Sequence, residues 1–77
     1  MKGKCIFKNG DGAGGTEENI GNATSEGECA NLVKFKTPLA NGATFATTKK
    51  GCYAEFGATH ANPCRDCRFC LFEEGSW

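Results

Sequence analysis

The stretch HANPCRDCRFC, residues 60–70, gathers the side chains best suited to chemistry in this chain: one histidine and three cysteines. His60, Cys64, Cys67 and Cys70 are ligand types that zinc takes, an imidazole nitrogen and three thiolates. Their spacing, H-x3-C-x2-C-x2-C, crowds four ligands into one short segment, whereas zinc ribbons bring two knuckles from separate hairpins. An iron–sulfur cluster would need a fourth thiolate at position 74, which is glutamate. Either metal site would also leave Cys5, Cys29 and Cys52 as an odd three. A redox reading of Cys64-Arg65-Asp66-Cys67 meets a different obstacle. Thioredoxin-type chemistry sets the first thiol at a helix N-terminus, which lowers its pKa. Here the motif follows Pro63 in a loop and leads into a strand, although Arg65 and Arg68 favour thiolate by their charge. The remaining reading is structural: all six cysteines, Cys5, Cys29, Cys52, Cys64, Cys67 and Cys70, form three disulfides.

The rest of the chain makes such a staple necessary. Ordering 77 residues costs on the order of 100 kcal/mol of conformational entropy. Against this stand six Phe, one Trp, one Tyr and few branched aliphatics, with eleven glycines that lose more freedom than other residues. A single domain covering residues 1–77 is all that this length supports. Small cysteine-dense domains belong mostly to oxidising, extracellular surroundings. Asn22-Ala23-Thr24 is an N-glycosylation sequon on Asn22, which agrees with secretion.

Charge and hydropathy narrow the partners. Nine basic and nine acidic residues cancel, which argues against nucleic acid and against adhesion to a membrane surface by net charge. No apolar run reaches the ~18 residues of a membrane span. MKGKCIF carries no hydrophobic leader, so the expectation is a mature segment or an excised domain. No Ser-His-Asp or Cys-His set has a plausible scaffold, and Glu73-Glu74 at a strand end suits solubility rather than acid–base work. The expectation is therefore a protein that is not an enzyme, with no cofactor and no bound metal.

The elements that position these residues follow from local pattern. Residues 4–8 read as a strand ended by the turn Asn9-Gly10-Asp11-Gly12. Residues 9–23, glycine and small polar residues without a period, read as a long exposed loop. Asp11, Glu17, Glu18, Asn19 and Asn22 offer oxygens there, but the alternation of an EF-hand is absent. Ser25-Glu26-Gly27-Glu28 fits a capping box and opens a helix through about residue 36, with Cys29, Leu32, Val33 and Lys36 on one face. Thr37-Pro38 stops it. Residues 43–48 and 52–56 form a hairpin across Lys49-Lys50-Gly51, with Cys52, Ala54 and Phe56 on one face and Tyr53 and Glu55 on the other. Residues 57–63 read as loop and 68–72 as a last strand. The fold class is α+β: a small disulfide-rich domain, one helix packed on a short antiparallel sheet. Cys5-Ile6-Phe7 and Cys70-Leu71-Phe72 echo one another, so paired terminal strands would let Cys5 bridge Cys70. Cys29 on the helix face and Cys52 on the inward strand face are natural partners. Six cysteines still allow 15 connectivities, and the pairing among Cys64, Cys67 and Cys70 stays open.

A capped helix bearing ECANLVK, then NGATF, then a return through GCYAEF, resembles the core of PAN/apple domains across roughly residues 3–72. In that family a helix cysteine bonds to a central-strand cysteine and the chain ends are often joined. The resemblance implies Cys29 and Cys52 in the first role and Cys5 with Cys70 or Cys67 in the second. Val33 stands where the family often has a second helix cysteine, and Cys64 and Cys67 lie outside its usual pattern. Such domains bind proteins or carbohydrates and do not catalyse.

Taken together, these features imply a secreted binding or adhesion module for an extracellular protein or glycan. A small secreted effector, such as a toxin or an inhibitor of haemostasis or a protease, is the competing class, and a Cys/His metal module the third. Lys34 and Lys36, Lys49 and Lys50, Arg65 and Arg68 are the basic clusters. If they converge they would take a sulfated glycan or an acidic protein patch. Tyr53 and Trp77 are candidate aromatic platforms.

Overall fold

The computed structural model describes residues 2–74, and of Lys2 and Glu74 the backbone alone. Among these residues the order is β1 (Lys2–Cys5), β2 (Lys8–Asn9), β3 (Asp11–Ala13), β4 (Thr16–Asn22), α1 (Glu26–Lys36), β5 (Gly42–Ala46), β6 (Gly51–Phe56), β7 (His60–Asn62) and β8 (Cys67–Glu74). The sheet is larger than the sequence pattern indicates and dominates the single helix.

The helix starts where the capping box places it. Ser25 has extended backbone and its Oγ accepts from the Glu28 N–H at 3.2 Å, while the Glu28 carboxylate accepts from the Thr24 N–H at 2.8 Å. Two backbone donors at the helix entry are thus satisfied by side chains. At the other end the Thr37 N–H and Oγ1–H both donate to the Val33 carbonyl at 2.9 Å. Pro38 then cannot extend the helix.

β5 sits at the centre of an antiparallel sheet with the order β1-β8-β5-β6-β4, and β2 also pairs with β8. The register assigns the two faces. Ala43, Phe45, Cys52, Ala54 and Cys70 face α1 and, with Cys29, Val33, Ala23 and Ala40, form the core. Apart from its cysteines this core is mostly alanine, with one valine and one phenylalanine, so cystine sulfur supplies much of its bulk.

The disulfides are Cys5–Cys70, Cys29–Cys52 and Cys64–Cys67. The first joins β1 to β8 and the second joins α1 to β6, the two pairs to which the strand echo and the helix face pointed. Their sequence separations are 65, 23 and 3. Chain entropy then assigns roughly 4 and 3.5 kcal/mol to the long pairs and roughly 2 kcal/mol to the short one.

Three expectations are corrected. Residues 9–23 are not a loop, because β3 and β4 lie within them. β4 is an edge strand with mostly exposed side chains, so it pairs by backbone and carries no apolar alternation to reveal it. Residues 57–63 contain β7, which pairs with β3 as a separate two-stranded ribbon. The strand read over 4–8 is broken at Ile6 and Phe7 into β1 and β2, and both parts run along β8. The ribbon covers the sheet on the side away from α1, with β3 packed on β5 and β8. Among the described residues no helix is long and apolar enough to cross a membrane.

Candidate functional site

The residues of HANPCRDCRFC are divided between core and surface. Cys70 is bonded to Cys5 and buried, whereas Cys64 and Cys67 are bonded to each other at half-buried positions. No cysteine is free. Bonded in this way, Cys64, Cys67 and Cys70 offer no thiolate of the kind a zinc site takes. His60 is exposed on β7, with its Nδ1 2.9 Å from Thr59 Oγ1.

The basic residues do not form one cluster, although the Asp66 carbonyl, beside Arg65, accepts from Thr47 in the turn that carries Lys49 and Lys50. Lys34 and Lys36 lie at the C-terminal end of α1, where Lys34 Nζ stands 5.7 Å from the centroid of Phe72 and Lys36 Nζ donates to the Ile20 carbonyl at 3.5 Å. Lys49 and Lys50 turn the β5–β6 hairpin at the opposite end, where the Lys50 carbonyl accepts from the Ala23 N–H just before α1 begins. Lys50 Nζ lies 5.8 Å from the centroid of Phe45. Arg65 is exposed and pairs with Asp66 at 3.1 Å. Arg68 is consumed structurally: it donates to Glu26 at 2.6 Å, to Asn9 Oδ1 at 2.7 Å and to the Phe7 carbonyl at 3.3 Å, tying α1 to the N-terminal strands. Tyr53 is half-buried on the sheet face away from α1. Asn22 is exposed at the end of β4, and Trp77 lies outside the described residues.

A carboxyl cluster is the feature that sequence reasoning missed. β6 points Glu55 away from α1, yet Glu55 is only 2 % exposed, because the ribbon covers it. Thr44 Oγ1–H donates to Glu55 Oε2 at 2.7 Å, and the same Oγ1 accepts from the Gly12 N–H at 3.2 Å. Gly12 permits this approach: a Cβ there would stand 2.5 Å from the Glu55 carboxyl carbon and 2.8 Å from Phe69. Glu17 is the direct cross-strand partner of Glu55. Oxygens of Asp11, Glu17 and Glu55 all lie within 4.8 Å of one another.

Burial pushes the Glu55 carboxyl up to about 8; the Thr44 hydrogen bond opposes this, while the hydrogen bond and charge of Glu17 and the charge of Asp11 add to it. At neutral pH Glu55 is therefore largely protonated, and its proton relieves the repulsion among the three groups. Carboxylate oxygens this close are also the donors a hard divalent cation takes. Asp11 and Glu17 stand out in sequence as oxygen donors, but Glu55 does not, because it joins Glu17 through strand register and Asp11 through packing of the ribbon on the sheet.

The second unpredicted feature is apolar. Ile6, Phe35 and Leu39 are 69 %, 85 % and 89 % exposed. Ile6 borders an open groove of about 430 Å³ between the β1 end and α1, lined also by Lys4, Phe7, Gly27, Asn31 and Lys34. Phe35 follows Asn31 by one helical turn, on the side of α1 opposite Cys29 and Val33. That position was readable from the helical period. No family model, curated protein or solved structure matches this chain.

Proposed function

We propose that this chain is an extracellular, non-catalytic binding module of PAN/apple-like type whose ligand is a protein. The observation that carries the reading is the display of Ile6, Phe35 and Leu39 on a small cross-linked scaffold. Among the described residues four large apolar side chains are exposed, Ile6, Phe35 and Leu39 most strongly and Leu71 less so, and exposed apolar surface rimmed by polar groups marks contact sites. Lys4, Asn31 and Lys34 supply such a rim along the groove. Helix-to-strand and end-to-end disulfides agree with the family resemblance, and three disulfides in a small domain support secretion. The exposed sequon makes Asn22 the glycan attachment point under this reading.

The test is binding of the folded domain to arrays of extracellular proteins and of glycans, with Phe35→Ser/Leu39→Ser as the matched control. Protein signals that the double variant loses support the reading. Glycan signals that survive in the double variant but vanish in Tyr53→Ala would move the ligand class to carbohydrate. Silence on both arrays from a folded domain would sink it.

A further inference from the structure

One disulfide differs from the other two in what it spans and in having neither cysteine buried. Cys29, Cys52 and Cys70 are at most 1 % exposed, and their bridges join elements distant in sequence. Cys5 is half-buried, but its bond holds β1 on β8. Cys64 and Cys67 are both half-buried, only 3 residues apart, in a turn where Pro63 and Arg65 are exposed. We propose that Cys64–Cys67 is a thiol-exchange site, a surface disulfide that dithiols open and close while the remainder of the fold stays intact. It stands independently of the ligand reading above.

Exchange requires a thiolate to reach a disulfide sulfur: burial shields both sulfurs of Cys29–Cys52 and the Cys70 side of Cys5–Cys70, whereas in Cys64–Cys67 neither cysteine is buried. The turn does not depend on its own bridge. The Asp66 carbonyl accepts from the Thr47 N–H at 2.9 Å and from Thr47 Oγ1 at 3.3 Å, and the Cys67 carbonyl accepts from the Gly10 N–H at 3.0 Å. Cys67 also pairs with Ala46 inside the sheet. With the turn held this way, the two Cα atoms remain near their 5.4 Å separation, within disulfide range, and reclosure is intramolecular.

The chemistry balances with a dithiol as the only co-reactant, either a small molecule or a protein Cys-x-x-Cys. Its thiolate attacks Sγ of Cys64, whose chain neighbours Pro63 and Arg65 are exposed. The Cys64–Cys67 bond breaks, and Cys67 leaves as a thiolate that takes up a proton. The second thiolate of the reagent attacks its own sulfur in the mixed disulfide, closes the oxidised reagent and releases Cys64 as a thiolate, which is protonated. Two electrons and two protons pass to the protein, and the reverse sequence returns them.

The experiment titrates the full chain with dithiothreitol under native conditions, alkylates with iodoacetamide and maps the labelled peptides by mass spectrometry. Cys64 and Cys67 are expected to label together at a dithiothreitol concentration at least tenfold below that needed for Cys5, Cys29, Cys52 and Cys70, with circular dichroism unchanged. In a glutathione redox buffer the opened pair should reclose to Cys64–Cys67 in a single two-electron transition. Simultaneous labelling of all six, earlier opening of Cys5–Cys70, or reoxidation to mixed pairings would each overturn the proposal. Cys64→Ser/Cys67→Ser, where it folds, should lack the early labelling phase and keep the late one.

Discussion

The two faces of the six-stranded sheet are covered by different means. On one side α1 lays Cys29 and Val33 onto alanines, Phe45 and two cystines, so that face is dry and covalently cross-linked. On the other side the β3–β7 ribbon lies over Phe69, Thr44 and Glu55, without a cross-link, held by Gly12 and by a carboxyl that keeps its proton. The core of the first face holds no titratable side chain, and its charged tie to α1, the Arg68–Glu26 pair, lies at its edge. The second depends on a proton and on the absence of a side chain. A small protein can thus cover one face by packing and the other by hydrogen bonds, with different vulnerabilities on each.

The largest expected effect breaks the dry face. Cys29→Ala/Cys52→Ala should cost about 2–5 kcal/mol, because it frees a buried cross-link and empties part of the core. Urea unfolding followed by circular dichroism measures it, and a loss below 1 kcal/mol would show that the cystine is not what holds α1 down. Next comes the ribbon face. Gly12→Ala forces a methyl against the Glu55 carboxyl and Phe69, at a cost of about 1–3 kcal/mol. The same unfolding assay should show the loss, and an unchanged midpoint would mean that the ribbon moves away freely.

The third prediction sharpens the contrast by pH. Glu55 ionises at about 4.5 when unfolded and at about 8 when folded. Between those values the folded state holds more protons, so stability is full below about pH 4.5, declines as pH rises, and levels off above about pH 8. Glu55→Gln, which mimics the protonated form, should remove this decline and leave the variant more stable than wild type at pH 9. The pKa shift sets the ceiling on the difference, a few kcal/mol at about 1.4 kcal/mol per pKa unit. Thermal melts across pH 5–9 read it directly, and parallel pH profiles for the two proteins would refute it. The smallest effect is at the surface: Phe35→Ser should change stability by less than about 0.5 kcal/mol, while removing any protein signal seen on the arrays.

Much of the dry face was legible from sequence. Ser25 and Glu28 mark the helix start, Thr37-Pro38 its end, and Lys49-Lys50-Gly51 the hairpin. Each depends on neighbours within a few positions. The ribbon face was not legible. DGAGG reads as a turn and TEENIGN as a loop, because edge and ribbon strands gain their stability from backbone pairing that leaves little trace in side-chain pattern. Arg68 illustrates the same limit at a single residue. Its charge suggested a ligand contact, and only the fold supplied Glu26, Asn9 and the Phe7 carbonyl as its partners.

From composition alone, six cysteines and a scarcity of large apolar side chains determined that this chain is stapled, and local signals determined where its helix lies. The tertiary structure decided which face of each strand is buried, because period-two alternation distinguishes two faces without saying what will cover either one. It also decided that Glu55 carries a proton, and that one cysteine of HANPCRDCRFC joins the core while two remain accessible. Those outcomes rest on strand register and on segments tens of residues apart coming into contact, and neither is encoded within any short window of the chain.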